Sequence, residues 1–238
     1  MPEPKFKKIL ILTQYYPPES GAPAVRLSSV ARELRLAGCE VRVLTGMPNY
    51  PVGKTYAGYE RAIWRREKRD EVPIRRVWLY PATGKQPLLR LANYLSFTAT
   101  SALALWAEPR PDLIFVEAQP VTLALGAWLF KKVRGTPYIY NTPDLQVEYA
   151  SEDAWLGLRY LISASRWLEK SLMRQSLSVT TVTHAFIDHF HKERDIPLAR
   201  LSFLPNGADT ERLRPLPADL DFAKRMGVLG KKVFTYAG

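Results

Sequence analysis

Apolar runs that read as strands alternate with segments of helical period along almost the whole chain, and few folds accommodate such an alternation. Lys8 to Thr13 carries the continuous run Ile9-Leu10-Ile11-Leu12, as expected of a parallel strand covered on both faces. From Ala22 to Ala37, Val25, Val30, Ala31 and Leu34 recur near helical spacing; Pro23 sits in the tolerated first turn and Gly38 closes the run. The pattern predicts further strands at Glu40 to Thr45, Ile74 to Tyr80, Asp112 to Glu117, Tyr138 to Asn141, Ser178 to Thr181 and Leu201 to Leu204. Between them it predicts helices at Pro87 to Ala107, Val121 to Val133, Trp155 to Arg174 and Ala185 to Glu193. The expected fold class is therefore α/β, a doubly wound, Rossmann-like parallel sheet.

The end of the chain breaks this rhythm. Asn206-Gly207-Ala208-Asp209 is a turn, Pro215-Leu216-Pro217 starts a linker, and a short helix at Phe222 to Met226 leads to an apolar strand at Lys232 to Tyr236. The expected division is one domain over 1–214, then a linker and the opening strand of a second over 215–238.

A content of 47% apolar and 24% charged residues suits a packed globular chain, not a disordered one. The one cysteine, Cys39, excludes an intrachain disulfide and a cysteine-based zinc site. The histidines, at 184, 189 and 191, do not converge on one point of a helix, so a shared metal is not expected. The apolar run near the N-terminus is too short for a secretory signal, and a cytoplasmic location is the expectation.

A formal net charge of +11 implies an anionic partner, with nucleic acid, acidic headgroups and phosphorylated substrates all eligible. No RNA- or DNA-binding motif accompanies the charge, so nucleic acid is not expected. Between Glu60 and Arg90, nine basic residues face four acidic ones, and Leu91 to Ala107 then carries no charge. That juxtaposition suits an anionic membrane surface, with Arg65, Arg66, Arg75 and Arg76 as its contacts. The small polar residues of the uncharged helix indicate that most of it is buried instead.

The loops after the strands are where such sheets place ligands. The first loop lacks the glycine fingerprint of dinucleotide binding, which disfavours that role. Gly21 stands before a helix N-terminus that can hold a phosphate, or it simply serves the turn. Arg26, one turn on, is either a second anion contact or a solvated helix arginine. In the loop from Thr45 to Tyr56, Asn49, Tyr50, Lys54 and Tyr56 can hydrogen-bond or stack on a sugar or phosphate. Glu117 and Asp144, each at a strand's carboxyl end, can orient a substrate hydroxyl as catalytic groups, or cap a helix.

Three segments carry a likeness: Tyr16-Pro17-Pro18-Glu19 with Gly21-Ala22-Pro23-Ala24-Val25-Arg26; Thr45-Gly46-Met47-Pro48-Asn49-Tyr50-Pro51 with Gly53-Lys54; and Leu204-Pro205-Asn206-Gly207-Ala208-Asp209. With them the chain resembles the N-terminal domain of the retaining family 4 glycosyltransferases, especially the colanic-acid and O-antigen type, one half of a GT-B architecture without the C-terminal donor domain. The resemblance implies transfer from a nucleotide sugar to a glycan or polyprenyl-diphosphate-linked acceptor, at the inner face of the cell membrane and without a metal or other cofactor. It also implies that Gly21 and Arg26 approach the donor diphosphate, that Asn49, Tyr50, Lys54 and Tyr56 form the acceptor loop, and that the chain alone is inactive. Where many relatives carry a histidine, this chain has Glu117-Ala118-Gln119, and Pro143-Asp144-Leu145 is a further departure. A membrane-surface or acceptor-binding module without catalysis is the alternative.

Overall fold

The computed structural model describes residues 5–82, 86–145, 156–207, 210 and 214–234. The chain divides into two units, Met1–Asn206 and Gly207–Gly238.

The first unit is built on an eight-stranded sheet. Its strands are β1 (Lys8–Leu12), β2 (Glu40–Gly46), β3 (Trp64–Arg69), β4 (Val72–Val77), β5 (Leu113–Glu117), β6 (Tyr138–Asn141), β7 (Ser178–Thr181) and β8 (Leu201–Phe203), in the order β3-β4-β2-β1-β5-β6-β7-β8. Every pairing is parallel except β3 with β4. The helices are α1 (Ala22–Leu36), α2 (Pro87–Trp106), α3 (Leu123–Arg134), α4 (Leu156–Gln175) and α5 (His184–Arg194).

The alternating direction of strand side chains divides the core in two. Leu10 and Leu12 of β1 join Ile114 and Val116 of β5 in a layer with Phe97 and Leu105 of α2 and Phe130 of α3. Ile9 and Ile11 join Val41, Val43 and Phe115 in the opposite layer, against Leu27 and Ala31 of α1. Both faces of the central strands are therefore apolar, which is why they read as unbroken hydrophobic runs. Helix α1 stops at Gly38, whose φ of +89° is available to glycine at little cost. Helix α5 starts at Thr183, which accepts the Phe186 N–H at 3.1 Å.

The sheet is parallel except at one edge. Strand β3 pairs antiparallel with β4 at the sheet edge, in a segment for which no strand was expected. Asp70 and Glu71, with φ of 48° and 63°, join the two strands in a two-residue turn. The sequence Trp-Arg-Arg-Glu-Lys-Arg of β3 has no apolar alternation because an edge strand needs none, and charge there discourages further pairing.

In the second unit, a short helix α6 (Leu220–Arg225) is capped by Asp219, whose carboxylate accepts the Phe222 N–H at 2.8 Å. Of the strand expected at Lys232 to Tyr236, residues 232–234 are exposed and have no strand partner among the described residues. Ala208 and Asp209 of the turn, Lys85, Trp155 and residues 235–238 lie outside the described residues.

Candidate functional site

The strand order turns at β1. The chain leaves it for β2 on one side and returns at β5 on the other, so a crevice opens above the carboxyl ends of β1 and β5. A cleft of about 230 Å³ lies there, lined by Tyr15, Gly21, Pro23, Tyr50, Tyr94 and Gln119. The loops after β1, β2 and β5 each supply part of it, and Tyr94 comes from α2.

Gly21 is the residue before α1 and makes no side-chain cap, so first-turn N–H groups of α1 remain available to an anion. A Cβ on Gly21 would stand 3.1 Å from Cε1 of Tyr50. The glycine thus lets the Tyr50 ring lie directly against the helix start. Tyr50 also meets Tyr15 edge-on, with ring centroids 5.5 Å apart. Burial pushes the Tyr15 hydroxyl far above its ordinary pKa, so it stays a neutral donor. Gln119 brings a buried Nε2 with no hydrogen-bond partner among the described residues. Three aromatic rings, a helix N-terminus and one unsatisfied amide suit a polyhydroxylated ring that bears a phosphate.

Beneath the cleft lies a residue that sequence reasoning passed over. The buried carboxylate of Glu19 accepts the backbone N–H groups of Asn49 and Tyr50, both at 2.9 Å, and of Tyr16 at 3.2 Å. It therefore ties the loop after β1 to the loop after β2. Burial raises its pKa, and the three backbone donors oppose that rise only in part. No local pattern marks Glu19, because two of its three partners lie some 30 positions away; its place two residues before Gly21 was the available signal.

The expected acceptor residues are brought to this loop but do different work. Asn49 is buried, and its Nδ2 donates to the Met47 carbonyl at 3.1 Å, so its side chain holds the loop and does not face the opening. Tyr56 donates its hydroxyl to the Tyr50 carbonyl at 2.6 Å. Lys54 is exposed on the same loop, and Tyr50 faces the cleft.

Glu117 and Arg26 come together as a buried ion pair. Arg26 also donates to Oδ1 of Asn206 at 3.3 Å, which leaves 12% of its side chain exposed. Asn141 donates to the other Glu117 oxygen and accepts the Thr180 hydroxyl at 2.8 Å. Burial raises the Glu117 pKa, against the pull of Arg26 and Asn141. Glu117 is thus engaged across β5, β6, β7 and α1, and Arg26 is committed to it. Asp144 is exposed just past β6, beyond the residues that line the cleft.

Two of the four expected membrane contacts are corrected. Arg76 is fully buried: Nε pairs with Glu67 at 2.7 Å, Nη1 donates to the Gly46 carbonyl at 3.1 Å, and Nη2 reaches the Pro17 carbonyl. Arg75 is held by Glu108 at 2.7 Å, with little exposure. Arg76 therefore cannot face lipid, and Arg75 is engaged by an acidic partner. Arg65 lies over the Tyr59 ring and donates to the Gly58 carbonyl at 2.8 Å, whereas Arg66 is open to solvent. Of the histidines, His184 stacks on Phe203 at 4.4 Å and His191 Nδ1 lies 2.9 Å from the Ile196 carbonyl.

A family model described as a glycosyl transferase 4-like domain matches residues 21–207. WcaI of Escherichia coli K12, given as a candidate glycosyl transferase of colanic acid biosynthesis, is 28% identical over 97% of this chain and 58% of its own length. Among solved structures, sucrose-phosphate synthase from Thermosynechococcus elongatus aligns with a TM-score of 0.61 at 15% identity, covering 92% of this chain and 52% of that one. Anabaena HepE in complex with UDP-glucose aligns at 0.58 and 18% identity, covering 94% and 50%. The catalytic domain of Arabidopsis thaliana starch synthase IV, bound to ADP and acarbose, aligns at 0.59 and 12%, covering 87% and 53%. These structures establish the GT-B fold likeness, and the chain spans between half and three-fifths of each relative's length.

Proposed function

Given that the chain belongs to the glycosyl transferase 4-like domain family, we propose that it forms the acceptor side of an enzyme that moves a sugar from a nucleotide sugar to a lipid-linked glycan. The cleft between the loops after β1, β2 and β5 supports this reading above all. It combines stacking surfaces for a sugar ring with the first turn of α1 for a phosphate. HepE is recorded with UDP-glucose and WcaI is associated with colanic acid, which favours a nucleotide-sugar donor and an acceptor in surface polysaccharide assembly.

In this proposal Tyr15, Tyr50 and Tyr94 hold the acceptor ring and Gln119 reads one of its hydroxyls. Gly21 allows the donor diphosphate to approach the start of α1. The Glu117–Arg26 pair fixes α1 against β5, so its role is positioning. Catalysis then rests on orientation and on stabilising the departing diphosphate, with retention at the transferred carbon and without a metal. The reaction would take place at the cytoplasmic face of the membrane.

The test is a transfer assay with the product of the complete gene, a panel of nucleotide sugars and a short prenyl-diphosphate-linked sugar, followed by release of nucleoside diphosphate. Transfer should occur with at least one donor and survive EDTA. Absence of turnover with every donor, or transfer unaffected by Gln119→Ala, would count against the proposal.

A further inference from the structure

Helix α2 breaks a rule that surface helices ordinarily obey. Its inner stripe, Asn93, Phe97, Ser101 and Leu105, is buried at four-residue spacing, as expected for a helix packed on a sheet. The opposite stripe should be polar. Instead it carries Leu88, Leu95 and Leu103, which are 79%, 48% and 74% exposed, with exposed Ala99 between them. Steps of seven and eight residues put these leucines on one side of the helix.

The apolar surface continues past the helix. Beside Leu103 opens a cleft of about 410 Å³ lined by Ile63, Trp64, Leu103 and Ala104 with Arg66 and Arg75, larger than the cleft at the candidate site; Arg75 there is paired with Glu108. Ile63 and Trp64 are 75% and 64% exposed. Trp64, Arg66 and Lys68 alternate along β3 and so share a face, which adds positive charge to the rim. Arg66 has no ion pair or hydrogen bond among the described residues, whereas Lys68 is exposed and paired with Glu71. A contiguous patch of this kind marks an interaction surface.

We propose that this face docks on an anionic bilayer, with Leu88, Leu95, Leu103, Ile63 and Trp64 entering the headgroup and acyl boundary and Arg66 meeting acidic headgroups. An indole at the edge of an apolar patch, with cations beside it, matches the interfacial zone of a membrane. A second copy of the chain is the poorer occupant, because self-association would bury the uncompensated charge of Arg66. No helix among the described residues is long and apolar enough to cross a membrane, so the attachment is by one face. Membrane contact thus falls on an apolar stripe and Arg66, not on the buried Arg76.

The experiment measures sedimentation of the 238-residue chain with vesicles of phosphatidylglycerol and phosphatidylcholine, and with phosphatidylcholine alone. The chain should bind the anionic vesicles more tightly. Leu95→Ser with Leu103→Ser should lower that binding at least tenfold, and Arg66→Ser about fivefold. Both leucines are solvent-facing, so the variants should keep the parent's circular dichroism and melting curve. The inference is overturned by equal binding of the leucine variant and the parent, by no preference for anionic vesicles, or by a dimer in solution that Leu103→Ser dissolves. None of these outcomes bears on sugar transfer, which uses other loops.

Discussion

The carboxylate of Glu19 accepts the backbone N–H of Asn49 at 2.9 Å, so one buried acid fastens the first ligand loop to the second. Both walls of the proposed acceptor cleft depend on that contact, because Gly21 follows Glu19 and Tyr50 follows Asn49.

Glu19→Ala should therefore cost about 2 kcal/mol of stability, since it strands buried backbone donors that now meet its carboxyl oxygens. Urea denaturation measures this. A change within a few tenths of a kcal/mol would mean that the loops hold without the acid.

Burial raises the Glu19 pKa, and the sign of the pH effect follows. The folded state binds this proton more tightly than the unfolded chain, so its contribution is fully present below the ordinary carboxylate range and is lost as pH rises through the raised value. The stability of the parent relative to Glu19→Gln should accordingly fall as pH rises from that range toward neutrality. Melting temperatures of the two proteins across this interval give the test; a rising difference would reverse the assignment.

The Arg26 and Glu117 pair should show strong coupling. Removing either partner alone leaves a buried charge unmatched, at a cost of about 3 kcal/mol, whereas Arg26→Met with Glu117→Gln should cost clearly less than the two single changes together. A double-mutant cycle by denaturation reads this coupling, and additive losses would show that the pair is not the clamp described.

Arg76→Met should destabilise the fold by about 3 kcal/mol, because it removes the partner of Glu67 and the donors to the Gly46 and Pro17 carbonyls. At a temperature where the variant is folded, its vesicle binding should equal the parent's. Weakened binding by folded protein would return Arg76 to the membrane surface.

Much of the architecture was legible because the central strands are buried on both faces and read as apolar runs, with the first helix bounded by Pro23 and Gly38. Strand β3 was not legible, since its pairing comes from a turn and a neighbour and not from its own composition. The site divides in the same way. That Gly21 and Tyr50 lie on facing loops followed from their places after strands. The burial of Arg76, the commitment of Arg26 to Glu117 and the role of Glu19 depend on contacts between residues distant in sequence, which local periodicity does not encode. The exposed leucines of α2 were visible as residues, but only the packing of Phe97 and Leu105 shows which face is left open.

The most direct test of the acceptor-side account is a heteronuclear NMR titration of the 238-residue chain with a short prenyl-diphosphate-linked sugar in the absence of vesicles. Shift changes should concentrate on Tyr15, Gly21, Tyr50, Tyr94 and the Gln119 side-chain amide, and should vanish in Gln119→Ala with Tyr50→Ala. Saturating shifts confined to other surfaces, or none at millimolar ligand, would contradict it.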